Sequence, residues 1–252
     1  MDPFDPDGRT LVIPARADPE RDAVAQAWFA RGGAVLRLDR FWAPPPVARP
    51  VLYGPDTFAL VVAECLDVTL RAPPDDLLLR VPAPWRGRRI EAVSLADALK
   101  GTFPTFVKPL VIKQFRGAVW PDREALQHET RGLPPDTGVL RSEVVRFTAE
   151  VRAFVAGGTV CAAATYEGEA DARAAHELFD AILARFPELP ACVLDAGCLD
   201  DGRWVLLEAN AAWGAGLNGC DADGALPSIA AATAPVGPGV DDGRAAGNVV
   251  RR

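Results

Sequence analysis

The sequence predicts a mixed α/β protein: a small N-terminal α/β unit, then a larger region of antiparallel strands and a few helices. Three observations carry this expectation. The opening stretch runs strand, helix, strand. From Phe106 onward, strand-like runs are separated by tight turns. The dipeptides Gly157-Gly158 and Asp201-Gly202 each join two apolar runs, a strong short-range mark of a hairpin.

In chain order, residues 10–15 are apolar and strand-like. Pro19–Ala30 has the spacing of an amphipathic helix with acids in its first turn, and Ala34–Leu38 follows a Gly-Gly break as a second strand. FWAPPPVARP (residues 41–50) makes a stiff loop. Residues 51–54 form a third short strand and 55–65 a helix, after which Pro-Pro-Asp-Asp at 73–76 interrupts the chain. Ser94 is placed to cap a short helix ending at Lys100. Helices are expected near residues 122–131 and 170–185, and residues 139–155 read as one long strand. The expected division is an N-terminal α/β unit over 1–103, the main region over 104–235 and a disordered tail over 236–252, where little is apolar enough to bury.

Composition excludes several functions. The 252 residues, 49% hydrophobic and 24% charged, suit a globular protein with a real core. A net charge of -7 argues against a broad nucleic-acid footprint, so no nucleic-acid partner is expected. No apolar run reaches the roughly 18 residues of a membrane span, and MDPFDPDGRT has acids and prolines where a signal peptide needs basic and then apolar residues. A soluble, cytoplasmic protein without membrane partners is expected. The five cysteines, Cys65, Cys161, Cys192, Cys198 and Cys220, form no CxxC pair and sit mostly in apolar runs, which reads as reduced core thiols. His128 and His176 fall on solvent-facing helical positions, and no Ser-His-Asp or Cys-His set is evident.

The stretch LLEANAAWGAG (residues 206–216) turns from apolar to polar at Glu208 and Asn210. Strand alternation places Trp204, Leu206, Glu208 and Asn210 on one face. If Asp201 and Gly202 are the central residues of a two-residue type I′ turn, positions whose numbers sum to 403 are opposed. Asp195 then faces Glu208, and Val193 faces Asn210. Directly opposed β-carbons lie about 4.5–5.5 Å apart, where like charges repel. Either a cation sits between the acids or the hairpin end is solvated with the acids unpaired. Two carboxylates and an amide suit a hard ion, and so few protein ligands suit Mg²⁺, which keeps water and phosphate in its shell.

Of the 27 basic residues only three are lysines: Lys100, Lys108 and Lys113. Two of them fall in FVKPLVIKQFRG, beside Gly117 in a loop whose amides have the freedom to fold over phosphates. Lysine is a compact point charge that arginine's planar fork does not replace at a crowded phosphate. Surface positions at strand ends remain the other reading, and no GxxxxGK[ST] loop is present. Glu150, Arg152 and Phe154 share a face of the 139–155 run. The acid and base either pair at the surface or serve a ligand, Glu150 accepting from sugar hydroxyls and Arg152 neutralising a phosphate or acyl-phosphate oxygen. Trp213 with Gly214, Ala215 and Gly216 reads either as an acceptor pocket or as packing. Arg86, Arg88 and Arg89 read either as a carboxylate site or as surface.

Taken in order, a strand with FxKP, a Gly-bearing loop, an acidic strand with ExR and a hairpin with Asp before its turn and ExN after it resemble the ATP-grasp superfamily of carboxylate-amine ligases. The pattern is similar to small, largely uncharacterised bacterial and phage members, whose ExN is followed by Trp and Gly as in EANAAWGAG. The resemblance covers about residues 104–233 and implies an ATP-grasp fold preceded by a small α/β domain. It implies that Asp195, Glu208 and Asn210 hold the Mg²⁺ ions, two in number, of MgATP, and that Lys108 and Lys113 touch its phosphates. Glu143 and the backbone near Val145 would meet adenine, Glu150 the ribose, and Arg152, with Lys113, the reacting group. The implied activity is ADP-forming ligation of a small-molecule or peptide carboxylate to an amine through an acyl phosphate. A kinase acting on a hydroxyl and a nucleotide-binding module without turnover are the alternatives, since fold alone does not decide chemistry.

Overall fold

The computed structural model describes residues 4–111 and 114–236. Residues 237–252 of the expected disordered tail, and Lys113, lie outside the described residues.

The N-terminal unit is built as the apolar spacing dictates. Strand β1 (Thr10–Pro14) is followed by helix α1 (Pro19–Ala30), whose Asp18 side chain caps the Arg21 N–H, and then by β2 (Ala34–Leu38). Both β2 and β3 (Pro50–Leu52) pair parallel to β1 in a sheet of order β2-β1-β3. Helix α2 (Asp56–Cys65) and β4 (Val68–Leu70) complete this part.

The chain then passes through the short helices α3 (Leu77–Arg80) and α4 (Ala83–Arg86) into β5 (Ile90–Ser94). Ser94 caps α5 (Leu95–Lys100), its Oγ accepting from the Asp97 N–H at 3.1 Å, as its position before an apolar run predicts. Strands β6 (Thr105–Pro109) and β7 (Ala118–Trp120), helix α6 (Arg123–Glu129) and strand β8 (Gly138–Ser142) follow. They form an antiparallel sheet of order β5-β8-β6-β7, covered on one face by α5 and α6 through Leu95, Leu126, Val107 and Val139. The division expected at residue 103 does not follow this sheet, because β5 precedes it and pairs along its whole length with β8.

The second antiparallel sheet begins with β9 (Phe147–Ala156) and β10 (Thr159–Gly168), joined at Gly157 and Gly158, both at positive φ as a type I′ turn requires. After α7 (His176–Arg185) come β11 (Cys192–Leu199) and β12 (Trp204–Ala211), giving the order β10-β9-β11-β12. Helix α8 (Ala222–Ala231) and β13 (Thr233–Pro235) return the chain to the N-terminal unit, where β13 pairs with β4. One face of this sheet packs Val151, Val155, Leu194 and Leu206 against Phe179 and Ile182 of α7. On the opposite face, Phe154 and Val193 join Leu226 and Ile229 of α8 and Trp28 of α1 in a core shared with the N-terminal sheet.

Two expectations are corrected. Residues 139–155 are not one strand: the chain leaves the first sheet after Ser142 and enters the second at Phe147. Glu143 closes the first sheet through both backbone and side chain, its N–H donating to the Arg89 carbonyl and its carboxylate accepting from the Arg89 N–H. The apolar pattern runs on through Val144 and Val145, so periodicity cannot show the break. All five cysteines are free, but only Cys192 and Cys220 are buried, and Cys65 is exposed at the end of α2.

Helix α7 covers one face of the second sheet, and Phe179 is fully buried in that interface. Phe179→Ala should lower unfolding stability by about 3–5 kcal/mol in denaturant titration. Phe29→Ala, at a side chain 73% exposed on α1, should change it by less than about 0.5 kcal/mol.

Candidate functional site

A cavity of about 940 Å³ lies between the two antiparallel sheets and is closed at one end by the N-terminal unit. Period-2 alternation decides what the first sheet's β6 shows it. On β6, Val107 points into the α5/α6 core while Phe106 and Lys108 line the cavity. Gly117 lies against Lys108: a β-carbon there would come within 2.8 Å of the lysine Cβ, so the absent side chain leaves room for the lysine stem. The amine of Lys108 makes no ion pair among the described residues, whereas Lys100 pairs with Asp97 at 3.1 Å outside the cavity. Val119 and Val144, two of the exposed large apolar residues, also line the cavity beside Phe115 and Leu110. Their exposure makes an apolar slot rather than a stray patch. Glu143 and Val145 border this slot, and the Val145 N–H donates no hydrogen bond among the described residues.

The second sheet forms the opposite wall. Glu150 and Arg152 project from β9 into the cavity, and Asp195 on β11 stands opposite Arg152 in the ladder. Arg152 and Asp195 form a bidentate pair, Nε to Oδ1 at 2.8 Å and Nη2 to Oδ2 at 2.7 Å, with Asp195 sealed from solvent and Arg152 only 10% exposed at its side chain. Burial pushes the Asp195 carboxyl up, and Arg152 pulls it back. The remaining guanidinium nitrogen, Nη1, donates to the Gly216 carbonyl at 2.9 Å. Asn210 Nδ2 bridges Asp195 at 3.2 Å and Glu208 at 2.9 Å. That leaves the amide oxygen of Asn210 and the carboxylate of Glu208 as oxygen donors at the wall. Among the described residues no three His, Cys, Asp or Glu side chains are grouped to hold a metal. The donor set therefore fits a hard ion held mainly by water and phosphate, with Asp195 joining it only if Arg152 releases the carboxylate.

Asp195 does face Glu208, and Val193 faces Asn210, but not through the expected turn. The loop has three residues, Asp200, Asp201 and Gly202. Leu199 N–H donates to Arg203 C=O, Gly202 N–H donates to Leu199 C=O, and only Gly202 in the loop has positive φ. This is a type I turn followed by a left-handed glycine, so the first pairs, such as Gly197 with Val205, are offset by one residue. A bulge at Leu207 absorbs the offset before Asp195 meets Glu208. The same bulge breaks the alternation: Trp204 and Leu206 face α7, whereas Glu208 and Asn210 face the cavity.

One cavity residue, Tyr166, is invisible to sequence reasoning, and one that the sequence does offer, Arg88, serves a different end. Tyr166 occupies a bulge in β10, between the Thr165–Val151 and Glu167–Glu150 pairs, and its hydroxyl donates to Glu150 Oε2 at 2.5 Å. Burial raises the carboxyl of half-buried Glu150, Tyr166 offsets this, and the neighbouring acids Glu167, Asp195 and Glu208 add to it. Arg88 reaches the cavity from the turn after α4, but its fork is spent on backbone carbonyls of Arg86, Leu206 and Leu207 rather than held ready for a substrate carboxylate. Burial lowers its pKa to about 10, with Arg86 adding to the fall.

Trp213, Gly214, Ala215 and Gly216 line the N-terminal end of the cavity. This loop is tied down from outside. The Glu20 carboxylate accepts from the N–H groups of Leu217 and Asn218 at 2.9 and 2.8 Å, Tyr53 OH donates to Ala215 C=O at 2.9 Å, and Trp213 Nε1 donates to Arg71 C=O at 3.0 Å. A β-carbon at Gly216 would come within 2.5 Å of Glu20 Oε2, so a side chain there would displace the carboxylate from this tie. His128 and His176 do not line the cavity, and no helix among the described residues is long and apolar enough to cross a membrane.

Two antiparallel sheets closing on an elongated cleft, with lysine on one wall and an acid–amide set on the other, define a class of nucleotide-grasping folds. A model of the ATP-grasp domain, family 2 of one clade of the superfamily, matches residues 85–226, more than half of the chain. The protein belongs to this ATP-grasp family. Among solved structures, it is similar to a RimK domain ATP-grasp protein from Sphaerobacter thermophilus, with a TM-score of 0.59 and 16% identity over 88% of this chain and 99% of the other. It is also similar to N5-carboxyaminoimidazole synthase from Aspergillus clavatus, solved with ADP and 5-aminoimidazole ribonucleotide (TM-score 0.57, 11% identity, 88% and 77% covered). An L-amino acid ligase from Bacillus licheniformis gives a TM-score of 0.52 at 11% identity, with 82% and 69% covered. No curated protein matches by sequence.

The Arg152–Asp195 pair predicts a pH signature. Arg152→Met leaves a buried carboxylate without its cation, which should cost about 3–5 kcal/mol near neutral pH. The Asp195 pKa in the folded variant then rises further above its unfolded value. The penalty is therefore full above the raised pKa and fades as pH falls toward the ordinary carboxylate range, where folded and unfolded forms are both protonated. Denaturant titration of variant and parent at several pH values should show the gap narrowing on acidification. A gap independent of pH would refute the charge argument.

Proposed function

We propose that the protein is an ATP-dependent, ADP-forming ligase that joins a carboxylate to an amine through an acyl phosphate. The observation that carries the reading is the convergence on one cleft of Lys108, Glu150, Arg152, Glu208 and Asn210, with no histidine or cysteine among the described residues lining that cleft to serve as a nucleophilic pair. In this reading the apolar slot of Phe106, Phe115, Val119 and Val144 takes the base, and Glu143 with the free Val145 N–H marks its edge. Glu150 accepts from the ribose with the oxygen that Tyr166 leaves free. Lys108, together with Lys113, binds phosphates as point charges.

Bound MgATP would supply the phosphoryl group and the divalent charge that offsets its oxygens. Glu208 and Asn210 would hold the ion, Asp195 behind them fixing Asn210 and orienting Arg152. Arg152 keeps its charge in the wall and presents one edge of its guanidinium toward Gly216, where an acyl-phosphate oxygen would accumulate charge. The acceptor end, with Trp213 to Gly216 on one side and Pro73 and Pro74 on the other, would hold the carboxylate and amine of a small molecule or peptide.

Binding is tested by melting. A ligand that binds only the folded state at 100 times its Kd adds about 2.7 kcal/mol, so MgATP should raise the Tm. Glu208→Gln should remove the Mg²⁺-dependent part of that rise, and an unchanged rise would sink the metal role. Lys108→Arg keeps the charge but widens it, and should weaken nucleotide binding about tenfold, whereas Lys100→Arg should be silent. For the reaction, ADP and free phosphate should form only when both an acid and an amine are supplied, and hydroxylamine should trap a hydroxamate with the acid alone. AMP with pyrophosphate would refute the acyl-phosphate route, and a stable phosphorylated product needing no amine would make the protein a kinase.

A further inference from the structure

The bulge at Leu207 creates a problem that the rest of the hairpin does not solve. In a regular strand successive carbonyls point to opposite edges. A bulge turns two of them the same way and leaves them without ladder partners. Strand β12 is the edge of its sheet, so no neighbouring strand among the described residues covers those of Leu206 and Leu207. Polar groups shielded from water and left so are destabilising. Here one side chain meets both: Arg88 Nη1 donates to Leu206 C=O and Nη2 to Leu207 C=O, each at 3.0 Å. Nη1 also donates to Arg86 C=O at 3.0 Å, and the guanidinium rests 5.7 Å from the centre of the Phe147 ring. Helix α4 is pressed against β12 to deliver it. Gly87, at φ +61°, ends the helix in the left-handed conformation, and a β-carbon there would come within 2.5 Å of Val205.

We propose that Arg88 is a positioning residue for Glu208: it clamps the bulge that turns Glu208 and Asn210 out of the α7 core and into the cleft. Without the bulge, Leu207 would stand opposite Asp195, and Glu208 would be directed at Leu194 and Phe179. The fork suits the task because its two nitrogens are held at a fixed spacing that matches adjacent carbonyls, which an ammonium does not reproduce. Partners behind a metal ligand typically change metal affinity by about 10–100-fold when lost. The functional consequence rests on the reading that Glu208 holds the divalent ion of a bound nucleotide. The clamp itself does not.

The test uses the full chain carrying Arg88→Met or Arg88→Lys, with two measurements. Hydrogen exchange on the ligand-free protein reads the bulge: amides of residues 204–211 should exchange at least about tenfold faster in Arg88→Met, with those of α7 unchanged. Equal exchange overturns the clamp. Titration with ADP, with and without Mg²⁺, reads Glu208: the gain in affinity given by Mg²⁺ should fall about tenfold in Arg88→Met while affinity without Mg²⁺ holds. A uniform loss in both conditions would assign Arg88 to general stability and overturn its positioning role. If the parent protein shows no Mg²⁺-dependent gain while exchange still responds, the clamp stands and the nucleotide reading falls. Arg88→Lys keeps the charge without the fork and should resemble Arg88→Met in both measurements. It also serves if Arg88→Met does not fold, and parent-like behaviour of the lysine variant would overturn the fork argument.

Discussion

The ion pair between Arg152 and Asp195 organises the cleft. A buried carboxylate is tolerable only with a partner of matching geometry, and the planar guanidinium supplies one through two short hydrogen bonds. The pair occupies neighbouring central strands, β9 and β11, so its geometry is set by the sheet and not by a loop. Everything nearby is referred to it. Asn210 spans from Asp195 to Glu208, Gly216 is drawn in by the third guanidinium nitrogen, and the Tyr166 ring lies 5.7 Å from the Arg152 head group.

Around this fixed point the site is shaped by irregularity. Two residues outside strand alternation, Tyr166 in β10 and Leu207 in β12, decide which side chains meet in the cavity. One brings a phenol to Glu150, the other reverses the face on which Glu208 lies. Bulges commonly re-aim side chains beside functional sites, and both of these lie in edge strands of the same sheet.

This explains what the sequence can and cannot disclose. Pro19–Ala30, Ala34–Leu38, the Ser94 cap and the Gly157-Gly158 turn are legible because each rests on local chemistry: apolar spacing, a capping hydroxyl, or glycines that accept positive φ. The Asp195–Glu208 opposition is legible too, but only through two errors that cancel, a turn one residue too short and a bulge not foreseen. The split after Ser142 is silent because apolar residues continue across it and the break is made by Glu143 bonding to Arg89, a contact between residues 54 apart. Arg88 is visible only as one of three clustered arginines, and its clamp is silent for a similar reason: its partners are carbonyls, which every residue has, so nothing in their side chains announces the match.

The tie between Glu20 and the loop after β12 bears on what counts as the unit of this fold. The family match runs over residues 85–226, yet the loop at Gly216 is held by Glu20 and Tyr53, both outside that stretch. The portion that is recognisable by descent is thus smaller than the portion that is mechanically complete. A chain shorn of its first helix would keep every residue of the family signature and lose the strut behind Gly216, to which Arg152 is hydrogen-bonded. A different N-terminal unit grafted onto the same stretch would keep this strut only if it presented an acceptor where α1 begins.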